Sequence, residues 1–178
     1  MKRKITLWII LLLPYAGLFI VWQYHRKEVA KIANASFIVV SKEEMTLTLY
    51  DYKGKILEKY PCACGANFGD KQKVGDLKTP EGVFTITDIQ KASHWVHDFK
   101  DGKGEIKGAY GPYFLRLNTP NHKGIGIHGT HDNESIGTRA TDGCVRLKNE
   151  DLEKLVKSVQ IGNIVVITPS KDDVISIE

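Results

Sequence analysis

The chain has 178 residues, enough for one domain of ordinary size and short for two. Its composition is globular, and its net charge of +4 is mild, with much of the excess at the N-terminus. There is no basic stripe interleaved with aromatics, so a nucleic-acid partner is not expected.

Lys2, Arg3 and Lys4 precede an uncharged run from Ile5 to Trp22, and Arg26 and Lys27 follow it. A run of this length matches the roughly 17–25 residues that span a bilayer. Trp8, Tyr15 and Trp22 are candidates for interfacial positions. The small residues Ala33-Asn34-Ala35 lie beyond Arg26, Lys27 and Lys31, too far downstream for signal cleavage. The sequence therefore favours an uncleaved, single-pass signal anchor. Its three N-terminal cations, with no acid among them, predict a cytoplasmic N-terminus and an outward-facing body. The resulting division is a cytoplasmic tip and transmembrane anchor (1–27), a linker (28–35), a β-rich body (36–170) and a C-terminal tail (171–178).

In the body, Ser36–Val40 is β-branched and aromatic, and Thr46–Tyr50 alternates as a half-buried strand does. Asp51-Tyr52-Lys53-Gly54 supplies a turn, and Ile56–Cys64 reads as one strand ending at Gly65. Cys62 and Cys64, two apart, would share a face there, as small residues of a packed strand. Thr79-Pro80-Glu81-Gly82 has the chemistry of a type I turn. Val83–Thr87, Tyr113–Leu117, Ile125–His128 and Ile164–Thr168 are further strands. Ala92–Gly111 and Gly124–Asp142 read as long loops. Trp95, Phe99 and Tyr110 are expected to pack in the first of them, as a lid over a groove. One helix is well specified. Asn149 caps it, Glu150 and Asp151 suit its first turn, and Gly162 suits its end. Leu152, Leu155, Val156 and Val159 form its apolar stripe. The fold class is thus mainly β with one clear helix.

Cys144 follows Gly143, and His128 opens His128-Gly129-Thr130 one loop upstream. A thiol near its usual pKa is only slightly ionised at neutral pH; an adjacent imidazole could take its proton or, as imidazolium, hold the thiolate. Gly143 lets the backbone turn so that the amides of Gly143 and Cys144 can face a developing oxyanion. Gly129 lets its own carbonyl approach and orient the imidazole, a job that a carboxylate does elsewhere. Arg146 would share a face with Cys144 and could hold a substrate carboxylate. Arg139, in the same loop region, could do so as well. The pair alone does not decide between catalysis and structure, because free cysteines and single histidines are usually structural. His94, His97, His122 and His131 match no strong metal spacing, so no metal is expected. Ser135, without a glycine frame, reads as a solvated loop residue.

His128-Gly129-Thr130, Thr141-x-Gly143-Cys144-Val145-Arg146-Leu147 and Asn149-x-Asp151 resemble the signature of the L,D-transpeptidases, the cell-wall cysteine enzymes with a YkuD-type catalytic domain. Gly75-Asp76 and Thr79-Pro80-Glu81-Gly82-Val83-Phe84 resemble that family's upstream segment. The resemblance covers about residues 36–168. It implies a mixed β-sandwich, a Cys144 nucleophile, a His128 base oriented by the Gly129 carbonyl, and no cofactor. Thr141 matches the family's serine, while Asp142 stands where the family often has a histidine. A carboxylate there, if it points inward, disfavours the thiolate. The implied substrates are peptidoglycan tetrapeptide stems, joined by 3→3 cross-links through a Cys144 thioester during cell-wall biogenesis. Water as the acceptor would make the enzyme an L,D-carboxypeptidase. Carbapenem-type β-lactams would mimic the acyl donor. A zinc-dependent cell-wall peptidase and a non-catalytic wall-binding module are the alternatives.

Overall fold

The computed structural model describes residues 17–26, 36–98, 102 and 104–175. The chain divides into two compact units, Met1–Ala35 and Ser36–Glu178. In the first, residues 17–26 form a helix, α1, with Leu18, Phe19, Ile20 and Val21 exposed. No helix among the described residues is long and apolar enough to cross a membrane. The anchor expected over Ile5–Trp22 lies mostly outside the described residues, as do the linker 28–35 and Phe99.

The second unit is built on a mixed sheet. β1 (Ser36–Ser41) pairs antiparallel with β2 (Thr46–Asp51), which pairs with β3 (Ile56–Pro61). The Asp51–Gly54 turn between β2 and β3 closes as its chemistry demands. Asp51 Oδ1 accepts from the amides of Lys53 and Lys55, and Gly54 takes a φ of 80°. On its other edge β1 pairs parallel with β12 (Ile164–Thr168). The long β5 (Gly82–Lys91) pairs with β12 through its first half and with β8 (Tyr113–Leu117) through its second. The β12 pairing covers Gly82–Thr85 and the β8 pairing begins at Ile86, with a register shift between Ile86 and Asp88, so β5 joins two leaves of sheet. β9 (Gly126–His128) extends the second leaf beside β8, and β11 (Val145–Arg146) pairs parallel with β9. The full strand order is β11-β9-β8-β5-β12-β1-β2-β3.

Both leaves and one helix feed a single core. Ile38, Val40, Leu47 and Leu49 come from the first leaf, and Leu115, Ile127 and Val145 from the second. α2 (Asn149–Ser158) adds Leu152 and Leu155, both fully buried, and Val156 and Val159 pack at its margin. Period-2 alternation on strands and a 3.6-residue stripe on α2 account for these choices.

Several expectations are corrected. Ile56–Cys64 is not one strand. β3 stops at Pro61, and Cys62 and Ala63 bond instead to Met45 and Arg146. A separate short strand, β4 (Cys64–Gly65), pairs with β10 (Arg139–Thr141). Thr79–Gly82 forms no turn, because tertiary partners stretch it. Thr79 Oγ1 accepts from the Gly65 amide at 2.7 Å, and Glu81 pairs with Lys42. The Ala92–Gly111 loop carries an antiparallel pair, β6 (Val96–Asp98) with β7 (Glu105–Lys107). Asn149 does not cap α2; Lys148 occupies the cap position without a side-chain bond.

The residues assigned to the tail include a short helix, α3 (Lys171–Ile175), whose Asp173 is buried. Asp173 meets Lys42 at 3.2 Å and Arg139 at 3.1 Å, and accepts from the amides of Gly69 and Ser170. Burial works against its charge, but these hydrogen bonds outweigh it and hold the carboxyl well below the usual range. Lys42 is fully buried and also pairs with Glu81 at 2.6 Å. Removing one member of such a cluster strands the others. Asp173→Ala is expected to cost about 3–5 kcal/mol, read as a drop in the urea midpoint at unchanged slope.

Candidate active site

His128 ends β9, flanked by β8 and β11, and is 3% exposed. Its ring stacks on Phe114 and meets the edge of Tyr110 at 4.9 Å between centroids. Trp95 packs on both Tyr110 and Phe114, as expected of that loop. The imidazole Nδ1 lies 2.6 Å from the carbonyl oxygen of Gly129. A carbonyl only accepts, so Nδ1 carries the proton and Nε2 keeps its lone pair.

Gly129 reaches this position because nothing projects from its Cα. A Cβ there would collide with Asn149 Oδ1, as would one on Gly111. The Asn149 amide clasps the next residue on both sides. It accepts from the Thr130 amide at 2.8 Å and donates to the Thr130 carbonyl at 2.9 Å. The Gly129 amide donates to the Tyr110 carbonyl. Asn149 and Gly111 are thus parts of the site that the spacing rules did not single out. Its local sequence makes Asn149 look like a helix cap, and its place in Asn149-x-Asp151 is the available signal.

Cys144 lies in the turn between β10 and β11. Thr141 Oγ1 braces that turn, donating to the Cys144 carbonyl at 2.6 Å and accepting from the Gly143 amide at 3.2 Å. Thr141, which also lines the cleft, thus supports the loop, and its hydroxyl engages the Gly143 amide. Gly143 has a φ of 131°, and a Cβ on it would lie 2.5 Å from the Lys78 carbonyl oxygen. Only glycine fits a chain this close to its neighbour.

The Cys144 thiol donates to the Gly124 carbonyl at 3.5 Å. The residue keeps partial exposure at a cleft of about 360 Å³ that His128, Arg146, Tyr110, Lys71 and Asp142 also line. Burial pushes the thiol up to about 11; the Gly126 amide, Lys71 and Arg146 oppose this, and Asp142 adds to it. Burial pushes His128 down to about 3, against the pull of the Gly129 hydrogen bond. The resting pair at neutral pH is therefore a thiol and a neutral imidazole, not the thiolate and imidazolium that the sequence allowed.

Arg146 is 4% exposed and lines the cleft beside Cys144. Its Nη1 donates to Ser135 Oγ at 2.9 Å, and Ser135 in turn donates to the Asp132 carbonyl. Ser135 is buried support for Arg146, not a solvated loop residue. Arg139 has a different task from the one expected. Its guanidinium covers the Phe68 ring and bonds Asp173 and Ser170, and it is not among the cleft residues. Cys62 and Cys64 are fully buried behind the loop. Among the described residues no group of three or more histidines, cysteines or carboxylates is placed to hold a metal ion.

A family model described as the L,D-transpeptidase catalytic domain, YkuD, matches residues 35–167. The chain belongs to the YkuD L,D-transpeptidase catalytic domain family. The YkuD protein of Bacillus licheniformis, whose name assigns it to the L,D-transpeptidases, is 32% identical over 132 residues, covering 74% of this chain and 65% of that protein. The helical cell shape determining protein Pgp2 from Campylobacter jejuni superposes with a TM-score of 0.57 at 27% identity, covering 77% of this chain and 48% of that one. L,D-transpeptidase 3 from Mycobacterium tuberculosis, solved with a faropenem-derived adduct, gives a TM-score of 0.57 at 20% identity, covering 75% and 60%. The last likeness is one of fold. The chain spans less than two thirds of the length of each of these three proteins.

The buried imidazole carries a pH signature. Unfolded, His128 binds a proton below the ordinary histidine value of 6.5; folded, it does so only near 3. Between these values the unfolded state holds more protons, so stability falls as pH drops. Thermal melts from pH 7 to 4 are expected to show this loss, with a shallower slope in His128→Gln.

Proposed function

We propose that the chain is a cysteine L,D-transpeptidase acting on peptidoglycan tetrapeptide stems. The observation that carries this reading is the His128–Gly129 hydrogen bond, which leaves Nε2 unprotonated in the cleft that holds Cys144. Membership of the family supports the same chemistry.

In the proposed first step the Cys144 proton passes to His128 Nε2 as sulfur attacks the carbonyl carbon of the third stem residue. The carbonyl oxygen becomes an oxyanion, for which the Cys144 amide is the proposed donor, since Thr141 occupies the Gly143 amide. Collapse breaks the bond to the terminal D-alanine, and His128 returns its proton to that leaving amine. In the second step an amine of a neighbouring stem attacks the thioester, His128 takes its proton, and sulfur leaves with the proton restored. This forms the 3→3 cross-link. Water in place of the amine gives L,D-carboxypeptidase trimming. Arg146, buried beside the thiol, is the proposed partner of a stem carboxylate.

The uncharged run from Ile5 to Trp22 is proposed as a single-pass anchor in the cytoplasmic membrane, with the N-terminus inside and the catalytic domain outside, where peptidoglycan lies. A β-lactam is expected to acylate Cys144, as the adduct on L,D-transpeptidase 3 suggests by kinship.

Intact-mass spectrometry after carbapenem exposure tests this directly. One covalent adduct is expected, mapped to Cys144 and absent in Cys144→Ala. His128→Ala is expected to slow its formation by about 10²–10⁴-fold. An unmodified wild-type chain would overturn the proposal.

A further inference from the structure

Asp142 is the residue at which the chain leaves the common family pattern, and its charge disfavours the thiolate of Cys144. The structure holds a cation placed to counter it. Lys71 lines the cleft, and its side chain is 5% exposed. Its ammonium bonds Asp76 Oδ1 at 2.7 Å. Asp76 is itself fixed by the amides of Gln72, Lys73 and Lys78. The Lys71 main chain is pinned too, its carbonyl accepting from His122 Nε2 at 3.0 Å. The ammonium is thus held on a short tether against the cysteine turn. A Cβ built on Gly143 would lie 3.4 Å from Lys71 Nζ. Lys71 is among the groups that favour the Cys144 thiolate, and Asp76 is not among those that oppose it.

We propose that Lys71, locked by Asp76 against the Gly143–Cys144 turn, is a positioning residue whose positive charge offsets Asp142 at the thiol and drives proton transfer from Cys144 to His128. This rests on the reading of Cys144 as nucleophile. The step moves one proton from Sγ to Nε2, leaving a thiolate and an imidazolium. Its driving force is the difference in potential between the two atoms. Arg146 favours the thiolate but opposes the imidazolium, so its effects partly cancel. Lys71 acts at the thiol and is not among the principal influences on His128. The remaining titratable groups around the cleft are Tyr110, His97, His122 and Lys123. His97 Nε2 lies 3.8 Å from Asp142 Oδ2, but like Arg146 it opposes the His128 imidazolium, so it does not replace Lys71.

The test is the pH profile of iodoacetamide alkylation, mapped to Cys144 by mass spectrometry in the full chain. Lys71→Met is expected to move the profile to higher pH and slow the reaction at pH 8 by about tenfold. Lys71→Arg keeps the charge and is expected to retain the wild-type profile. Asp142→Asn is expected to move it to lower pH, and the double variant Lys71→Met/Asp142→Asn to return it within about threefold of wild type. A folded Lys71→Met chain with the wild-type profile would overturn the proposal. So would a Lys71→Arg shift equal to that of Lys71→Met, or an Asp142→Asn profile that does not move; the last outcome stands even if Lys71→Met fails to fold. A wild-type Cys144 that resists alkylation at every pH would instead remove the nucleophile reading itself.

Discussion

A buried imidazole keeps one tautomer only if one of its nitrogens has a fixed acceptor, and here the acceptor is the carbonyl of the following residue. The His128–Gly129 contact is short and local, so its geometry depends on how the backbone turns after β9. That turn is held from three sides. Tyr110 accepts the Gly129 amide, Asn149 clasps Thr130, and Gly111 leaves the space that Asn149 fills. The cost of burial falls on the charged imidazole, which makes the neutral ring the resting state. Under the proposed mechanism, a main-chain carbonyl thereby does the orienting that a third acidic side chain does in other triads.

The cysteine loop is held by a separate set of contacts. Thr141 locks the turn internally, and β10 ties its start to β4. Arg139 carries the restraint further, to Asp173 on α3 and through it to Lys42 and Glu81. Buried charges are expensive unless each has partners, and in this cluster they do. The C-terminal residues are therefore coupled to the loop that carries the thiol. Lys71, tied to Asp76, approaches the same loop at the wall of the cleft.

Much of this was legible in the sequence where one local rule dominates. Tyr113–Leu117, Ile164–Thr168 and the stripe on α2 follow from periodicity, and the Asp51–Gly54 turn from its residue types. The juxtaposition of His128, Gly129 and Cys144 was readable because glycine placement reports close backbone approach. What escaped was decided by tertiary partners. Asn149 looks like a cap but is drawn to Thr130; Arg139 looks like a ligand residue but is held by Asp173; Thr79–Gly82 looks like a turn but is stretched by Gly65 and Lys42. In each case the local preference was real and a longer-range bond outweighed it.

The proposed chemistry requires that Gly129 fix His128 as a neutral base with an unprotonated Nε2 in the cleft that holds Cys144. Side-chain ¹⁵N shifts of His128, followed by NMR from pH 5 to 8, test that claim most directly. The account predicts a protonated Nδ1 and an unprotonated Nε2 across the whole range, with no titration. A titration near the ordinary histidine value, or a proton on Nε2, would contradict it.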